Sequence, residues 1–275
     1  MRRSVVLMKT DIFMDTVRTE RFRMDYFRFG EGQRALVVLP GLSVQSVRGF
    51  ANAVAEMYRD FTGDYTVYVM DPREDLPPVY PVAEMARDTG AAMRALGLEG
   101  ADVFGVSLGG MIALDIALRQ PELVRKLVLG SSNARVSEAA MATLSEWARL
   151  AKAGDTEGLY MTFGRDVYSG KDFAALREGL RQAAQTVTRE ELDRFVILAE
   201  GARDFNVLPE LGSIRCPVLA LGSRDDRVLG PESTPEIAEA LKGRPDFEWY
   251  MYDGYGHAAY DTAPDYRERI LRFLR

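Results

Sequence analysis

The sequence predicts an α/β fold in which a mostly parallel sheet carries helices on both faces and a helical insertion interrupts the order of the strands. Short apolar runs with strand character alternate with segments of helical periodicity along most of the 275 residues. This alternation predicts parallel strands, because each helix returns the chain to the same end of the sheet. The alternation stops after Ser132 and resumes at Pro217, which predicts the insertion.

The first half of the chain carries five predicted strands. Residues 22–29 alternate apolar and polar, whereas residues 35–39 form a continuous apolar run typical of a strand buried on both faces. The other three strands are predicted at residues 65–70, 103–106 and 127–129. Helical spacing predicts helices at 50–58, at 82–96 with Gly97 ending it, and at 108–118.

Residues 133–208 carry helical patterns only. Apolar residues recur at helical spacing over 137–153 and 171–185, and a capping box beginning at Thr188 predicts the start of a third helix. We therefore predict a helical cap over residues 133–208, inserted into an α/β core of residues 1–132 and 209–275. After the cap, strands are predicted at 217–221 and 247–252, and helices at 235–241 and 265–274.

Composition limits the partners and the location of the protein. The formal net charge is −6 and the acidic residues are spread out, which argues against a nucleic-acid partner because such a protein would show a basic stripe. No window approaches a membrane span, and the apolar stretch within residues 1–9 is shorter than that of a secretory signal. The single cysteine, Cys216, cannot form an internal disulfide. We expect a cytoplasmic protein that acts on a small molecule, with its oligomeric state left open.

The run Gly105-Val106-Ser107-Leu108-Gly109 is a G-x-S-x-G pattern between a predicted strand and a predicted helix. A nucleophilic serine requires this context, because its hydroxyl must stand on a strained turn between the two elements. Side chains at Gly105 and Gly109 would collide with neighbouring backbone, so small residues are needed there. Ser107 is therefore the candidate nucleophile, and the alternative is a glycine-rich turn with an idle serine.

The chain has one histidine, His257, in a glycine-rich loop after the last predicted strand. A serine hydroxyl is a poor nucleophile unless a base accepts its proton, and histidine titrates near neutral pH. A loop at the carboxyl edge of a parallel sheet can reach Ser107. His257 is therefore the candidate general base.

Two neighbouring aspartates are candidates for the acid that orients the histidine. Asp225 and Asp226 both follow the strand that ends at Leu221. A buried carboxylate holds the imidazole in one tautomer and stabilises its cation. Asp226 is favoured because apolar residues follow it where the loop turns back under the sheet. Asp225 remains the alternative, and the aspartate that does not serve is expected to be a solvated loop carboxylate.

Two backbone N–H groups are predicted to stabilise the negative oxygen that develops during acyl transfer. One belongs to Leu108, directly after the candidate nucleophile, and the other to Leu42 in the loop after the second predicted strand. Such a donor often contributes about 3 kcal/mol to transition-state stabilisation.

Taken together, these motifs resemble those of the α/β-hydrolase superfamily, in its subgroup with a helical cap. The resemblance rests on residues 105–110, on residues 121–129, on the acid after Leu221, and on the Gly254-x-Gly256-His257 run. It covers nearly the whole chain outside residues 133–208. The resemblance implies a triad of Ser107, Asp226 and His257 beneath the cap.

The sequence departs from the family pattern at two places. Pro40 stands where members often have a histidine, a change that leaves the backbone donor of the loop intact. Residues 72–78 replace a glycine-rich run that members often carry, so the substrates of the commonest members do not transfer to this chain.

Four aromatic side chains of the predicted cap are candidates for lining an apolar substrate pocket, and the alternative for each is a place in the core of the cap. They are Trp147, Tyr160, Phe163 and Tyr168. No basic cluster suggests a phosphate or a coenzyme A tail. With one histidine and no spaced carboxylate cluster, the sequence predicts no metal and no other cofactor.

These residues lead to three hypotheses. The first is a serine hydrolase of the carboxylesterase type, which cleaves an ester, thioester or related acyl bond of a small, mostly apolar substrate through an acyl-enzyme intermediate. The second uses the same triad for C–C bond hydrolysis, aminopeptidase-like cleavage or another non-ester reaction. The third is a non-catalytic ligand receptor that retains a triad.

Overall fold

The computed structural model describes residues 11–275, so the segment weighed above as a secretory signal lies outside the described residues. In chain order, the strands are β1 (Ile12–Arg18), β2 (Arg23–Phe29), β3 (Arg34–Leu39), β4 (Tyr65–Met70), β5 (Ala101–Val106), β6 (Val124–Gly130), β7 (Val218–Ser223) and β8 (Phe247–Tyr252). They form one sheet in the order β1-β2-β4-β3-β5-β6-β7-β8. β2 pairs antiparallel with β1 and β4, and the other five pairs are parallel, so the predicted mostly parallel sheet is confirmed.

The helices follow the predicted alternation with strands. In chain order, they are α1 (Ala51–Met57), α2 (Val82–Ala95), α3 (Leu108–Arg119), α4 (Glu138–Ala153), α5 (Thr156–Val167), α6 (Gly170–Ala184), α7 (Arg189–Gly201), α8 (Ser233–Ala240), α9 (Ala259–Thr262) and α10 (Tyr266–Leu274). Helices α5 and α9 were not delimited by the sequence patterns. The capping box at Thr188 is present, and Gly97 follows α2 with a positive φ of 68°.

Alternate residues of the central strands point to opposite faces of the sheet and build two apolar cores. Val103 of β5 packs in the core that contains residues of α2, α3 and α8, whereas Phe104 packs in the core that contains residues of α1 and α10. Burial on both faces explains why these strands are continuous apolar runs. These neighbouring parallel strands place the carboxyl ends of β3, β5, β6 and β7 in one row.

Strand β1 was not predicted, because it lies at the edge of the sheet. Only Val17 of this strand is buried, while Phe13 and Met14 are among the exposed large apolar side chains. A strand that buries one residue carries little of the alternation by which strands are recognised.

Helices α4 to α7 occupy the interval between β6 and β7, where the insertion was expected. The chain enters and leaves this interval at one place, because the N–H of Val207 donates to the carbonyl of Ala134 (2.8 Å) and that of Val136 to the carbonyl of Phe205 (3.0 Å). These bonds lie close to the boundaries at 133 and 208, and the division into core and cap stays a prediction. None of the helices between residues 11 and 275 combines the length and the apolar character needed to span a bilayer.

Candidate active site

Ser107 occupies a strained turn between β5 and α3. Its φ of 52° and ψ of −119° are unusual for a residue with a side chain, and such a conformation costs about 1–3 kcal/mol. Hydrogen bonds hold it in place. The N–H of Ser107 donates to the carbonyl of Gly130 (2.9 Å), and the carbonyl of Ser107 accepts from the hydroxyl of Ser132 (2.9 Å). The geometry expected for the G-x-S-x-G motif is therefore present.

The glycines around Ser107 are required by close backbone approach. A Cβ atom at Gly105 would overlap the carbonyl oxygen of Gly109, and one at Gly109 would overlap the carbonyl oxygen of Leu39. The second contact brings α3 against the end of β3. Ser107 is thereby set beside the loop that follows β3.

His257 and Asp226 form a buried pair. Nδ1 of His257 lies 2.8 Å from Oδ2 of Asp226, and each side chain is 4% exposed. Oδ1 of Asp226 accepts the N–H groups of Val228 (2.8 Å) and Leu229 (3.0 Å). Both carboxylate oxygens therefore have partners, which compensates the desolvation of the charge. Of the two candidate acids, the structure brings Asp226 to the histidine.

Asp225 is not the solvated loop carboxylate that was expected of the other aspartate. Its oxygens accept the N–H groups of Gly254 (3.1 Å) and Gly256 (3.0 Å), and the hydroxyl of Ser223 (2.7 Å). Burial raises the pKa of Asp225, but these hydrogen bonds outweigh burial and leave the pKa below its ordinary value. The expectation was wrong because the loop after β8, which carries His257, begins beside the end of β7 and supplies donors to this carboxylate.

The loop after β3 lies directly against Ser107. A Cβ atom at Gly41 would stand 3.1 Å from Cβ and 3.8 Å from Oγ of Ser107. Leu42 and Leu108, the predicted oxyanion donors, line one cleft with Ser107. Within residues 11–275 neither of their N–H groups donates a hydrogen bond, so both are available to a ligand.

Ser107 and His257 line the same cleft, but no hydrogen bond joins them in the part of the chain that the structure describes. Hydrogen bonds between a nucleophile and its base are often long without substrate and shorten when the substrate binds. In the structure, His257 is therefore in contact with Asp226, whereas Ser107 and His257 face the same cleft without a hydrogen bond between them.

The cleft has a volume of about 440 Å³, including its open mouth, and its wall is mostly apolar. Trp147 and Phe163 line it as predicted, with ring centroids 4.7 Å apart. Sequence reasoning missed the aliphatic part of the wall. These residues are Met111, Leu144, Val167, Leu198, Ala199, Ala202, Val228 and Leu229. Helical spacing could have suggested Leu144 beside Trp147 and Val167 beside Phe163.

Two of the four predicted pocket residues do not line this cleft. Tyr160 lies one turn before Phe163 on α5, and its hydroxyl donates to Oε1 of Gln45 (3.1 Å). Tyr168 follows the end of α5, and its hydroxyl lies 3.4 Å from Oδ2 of Asp261. Tyr160 thus links α5 to the loop after β3, and Tyr168 links the end of α5 to α9.

The lining has few polar groups. Among the described residues of the wall, four carry polar side-chain atoms: Ser107, His257, Tyr260 and, through its indole nitrogen, Trp147. No lysine, arginine, aspartate or glutamate from residues 11–275 lines the cleft. Within the same range, no group of three or more histidine, cysteine, aspartate or glutamate side chains is suited to hold a metal ion.

The model of the α/β-hydrolase fold family matches residues 34–264 of this chain. The chain belongs to the α/β-hydrolase fold family. The match spans β3 through α9, and therefore includes Ser107, Asp226 and His257 and the interval of helices α4 to α7. The protein is a hydrolase of this family.

Several curated proteins and solved structures of other proteins are similar to this hydrolase along most of its length. A protein named carbamate hydrolase RutD from Agrobacterium fabrum is 29% identical over 203 residues, which cover 73% of this chain and 77% of the relative. A 2-hydroxy-6-oxononadienedioate/2-hydroxy-6-oxononatrienedioate hydrolase from Paraburkholderia xenovorans is 27% identical over 271 residues, covering 92% and 90%. The crystal structure of MGS-M2, an α/β hydrolase from a deep-sea metagenome library of the Medee basin, superposes with a TM-score of 0.84 at 20% identity, covering 94% and 97%.

Proposed function

We propose that this hydrolase cleaves an ester, thioester or related acyl bond of a small, mostly apolar substrate through an acyl-enzyme on Ser107. One observation carries the proposal. The buried pair of His257 and Asp226 faces the same cleft as a serine held at a positive φ, and the loop of Leu42 lies against that serine. A nucleophile, a base held by an acid, and two free N–H groups are the parts that acyl transfer needs.

Each side chain has a defined step in the proposed reaction. The hydroxyl oxygen of Ser107 attacks the carbonyl carbon while His257 accepts the proton, and Asp226 stabilises the resulting imidazolium. The N–H groups of Leu42 and Leu108 bind the oxyanion. When the C–O or C–S bond breaks, His257 returns the proton to the leaving group. A water molecule then attacks the acyl-enzyme and transfers one proton to His257, which passes it to Oγ of Ser107 as the bond between Oγ and the acyl carbon breaks and the acid is released.

The wall of the cleft supports an uncharged substrate. Aliphatic and aromatic side chains form most of it, and no cationic side chain in residues 11–275 lines it. The Paraburkholderia relative is named for a dioate, which carries two carboxylates. The described wall of this cleft has no cationic side chain to pair with a carboxylate. A neutral carbamate is the second candidate, since several similar relatives are named carbamate hydrolases and the same steps would cleave its acyl bond.

The decisive experiment compares wild type with Ser107→Ala, Asp226→Asn and Ser213→Ala on p-nitrophenyl butyrate. Ser107→Ala is expected to lower kcat at least about 10³-fold, because the nucleophile acts as a unit with its base. Asp226→Asn is expected to lower kcat strongly, because an amide cannot hold the same tautomer. Ser213 is exposed and distant in sequence from the motif, so Ser213→Ala controls for loss of a hydroxyl as such.

Comparable rates for wild type and Ser107→Ala would contradict the assignment. Labelling by a fluorophosphonate, located by mass spectrometry, separates the remaining hypotheses. Label on Ser107 without ester turnover would favour a non-ester reaction, which a panel of carbamates, peptides and C–C substrates would identify. Absence of label would contradict the assignment of Ser107 as the nucleophile.

The cap, the location and the partners belong to the same proposal. We propose that residues 133–208 form a cap over the cleft. This proposal is supported by the residues of α4, α5 and α7 that line the wall of the cleft. The proposed location is the cytoplasm, with a small molecule as partner and neither nucleic acid nor membrane. Cell fractionation with an antibody to the native protein tests the location, and gel-shift and vesicle-sedimentation assays test the excluded partners.

A further inference from the structure

We propose that the hydroxyl of Tyr260 donates a hydrogen bond to an acceptor oxygen of the substrate other than the carbonyl that is attacked. The substrate would then be an apolar acyl compound that carries an ether, hydroxyl or second carbonyl oxygen near the cleaved bond. This inference rests on the proposed function of the cleft and makes it more specific.

Tyr260 stands beside the candidate base. It lies in α9, three residues after His257, and lines the cleft. The two rings meet edge to face, with centroids 6.3 Å apart and planes at 88°. A group bound to the Tyr260 hydroxyl would therefore be close to the reacting centre.

Few other side-chain groups of the wall can serve as the polar contact. Ser107 and His257 are used by the reaction, and the indole N–H of Trp147 donates to Oδ2 of Asp166 (3.1 Å). Apolar pockets fix the orientation of a ligand through a small number of placed polar groups. Among the described wall residues, Tyr260 holds the one side-chain polar group that neither the proposed chemistry nor a hydrogen bond occupies.

In the described chain, the hydroxyl of Tyr260 is unpaired. Within residues 11–275 it makes no hydrogen bond, whereas the hydroxyl of nearby Tyr168 is engaged by Asp261. The fully buried unpaired hydroxyls of the described chain include those of Tyr252 and Tyr266, and Tyr260 is not among them. The Tyr260 side chain is half-buried and lines the cleft, which is where a partner for its hydroxyl would bind.

The environment keeps this hydroxyl a donor. Burial raises the pKa of Tyr260 well above 10, and the nearby Tyr168, Asp261 and Asp226 raise it further by opposing a negative charge. The phenol is therefore protonated at neutral pH. A neutral phenol donates to an ether or carbonyl oxygen without the cost of burying a charge.

Helix α9 is fixed in position from two sides. Nη1 of Arg267 donates to the carbonyl of Tyr260 (3.3 Å), and the hydroxyl of Tyr168 reaches Asp261 from the end of α5. The N–H of Ala258 also donates to the carbonyl of Val167 (2.9 Å). A donor held in place before binding loses little freedom when the ligand arrives, so its hydrogen bond can discriminate between ligands.

The test uses pairs of esters that differ by one oxygen in place of a methylene. On the acyl side, p-nitrophenyl methoxyacetate is compared with p-nitrophenyl butyrate; on the alcohol side, 2-methoxyethyl acetate is compared with butyl acetate. In at least one pair, Tyr260→Phe is expected to lower kcat/KM for the ester that contains the ether oxygen about fivefold more than for the ester that has a methylene there. The factor is about fivefold because one neutral hydrogen bond is lost. Active sites are counted by fluorophosphonate titration, so loss of folded protein does not enter the ratio.

Tyr250→Phe is the control, because it removes the hydroxyl of an exposed tyrosine that does not line the cleft, and it should change both members of each pair by the same factor. An equal change for both members in both pairs with Tyr260→Phe would overturn the proposal. Affinities of the same esters for Ser107→Ala, with and without Tyr260→Phe, give a readout that does not depend on turnover. If wild type hydrolyses none of the esters, the proposed function fails, and these affinities alone decide the role of Tyr260.

Discussion

Asp225 accepts the N–H of Gly256 at 3.0 Å, one residue before the histidine that its neighbour Asp226 holds through the ring. Asp225 also accepts the N–H of Gly254, two residues further back. Two consecutive aspartates thus act on one segment. Asp226 fixes the imidazole, and Asp225 fixes the backbone that carries it.

Replacing Asp225→Asn is expected to lower kcat on p-nitrophenyl butyrate about ten- to a hundredfold, because small misplacement of a catalytic group has effects of this size. The change in KM should be small, since Asp225 does not line the cleft. Amide hydrogen exchange in the peptide containing Gly254 and Gly256 should become faster.

Asp253→Asn is the control for Asp225, because Asp253 lies in the loop that Asp225 holds but is exposed, and within residues 11–275 it pairs only with the exposed Arg224. If Asp225→Asn lowers only the melting temperature, and leaves kcat and exchange equal to those of Asp253→Asn, then Asp225 has no positioning role.

Ser107→Gly is expected to unfold at higher urea concentration than Ser107→Ala. Ser107 has a φ of 52°, which glycine adopts without the steric cost that alanine retains. The difference in the free energy of unfolding should be about 1 kcal/mol or more in favour of glycine. Equal stability of the two inactive variants would show that the turn relaxes when the serine is lost.

Gly109→Ala is expected to yield little folded protein. The added Cβ would overlap the carbonyl oxygens of Leu39 and Pro40, which are backbone atoms that cannot turn aside. Gly49→Ala serves as the comparison, because a Cβ there meets nothing within 4 Å. Soluble yield and circular dichroism measure the outcome, and similar values for both variants would contradict the close approach of α3 and β3.

Asp115→Asn is expected to stabilise the protein more at pH 7.5 than at pH 4. Burial raises the pKa of Asp115 above its ordinary 3.8, with Arg119 lowering it and Glu210 raising it by smaller amounts. A raised pKa means that the protonated carboxyl is favoured by folding, so stability is full below 3.8 and is lost as the pH rises through the folded-state value. Asparagine remains neutral and avoids this loss.

Urea unfolding of wild type and Asp115→Asn at both pH values measures the effect, with Asp60→Asn as an exposed control. A benefit of Asp115→Asn that is independent of pH would contradict the assignment of burial as the cause.

Sequence patterns were sufficient for the strand and helix order, because burial on both faces leaves continuous apolar runs in β3 and β5 and a 3.6-residue period in the helices. They failed at β1, where a single buried residue leaves almost no pattern. They also marked Ser107 and His257, since a G-x-S-x-G turn and a lone histidine can be recognised from local sequence.

Local sequence therefore determined the fold class, the strained turn at Ser107 and the histidine available to it. It did not determine which aspartate reaches that histidine, that Asp225 supports the loop of Gly254 and Gly256, or that Tyr260 rather than Tyr160 lines the cleft. These facts depend on how the loops after β7 and β8 meet the helices α4 to α7 in space. Because such contacts join residues far apart in the chain, local sequence does not determine the direction in which each of these side chains points.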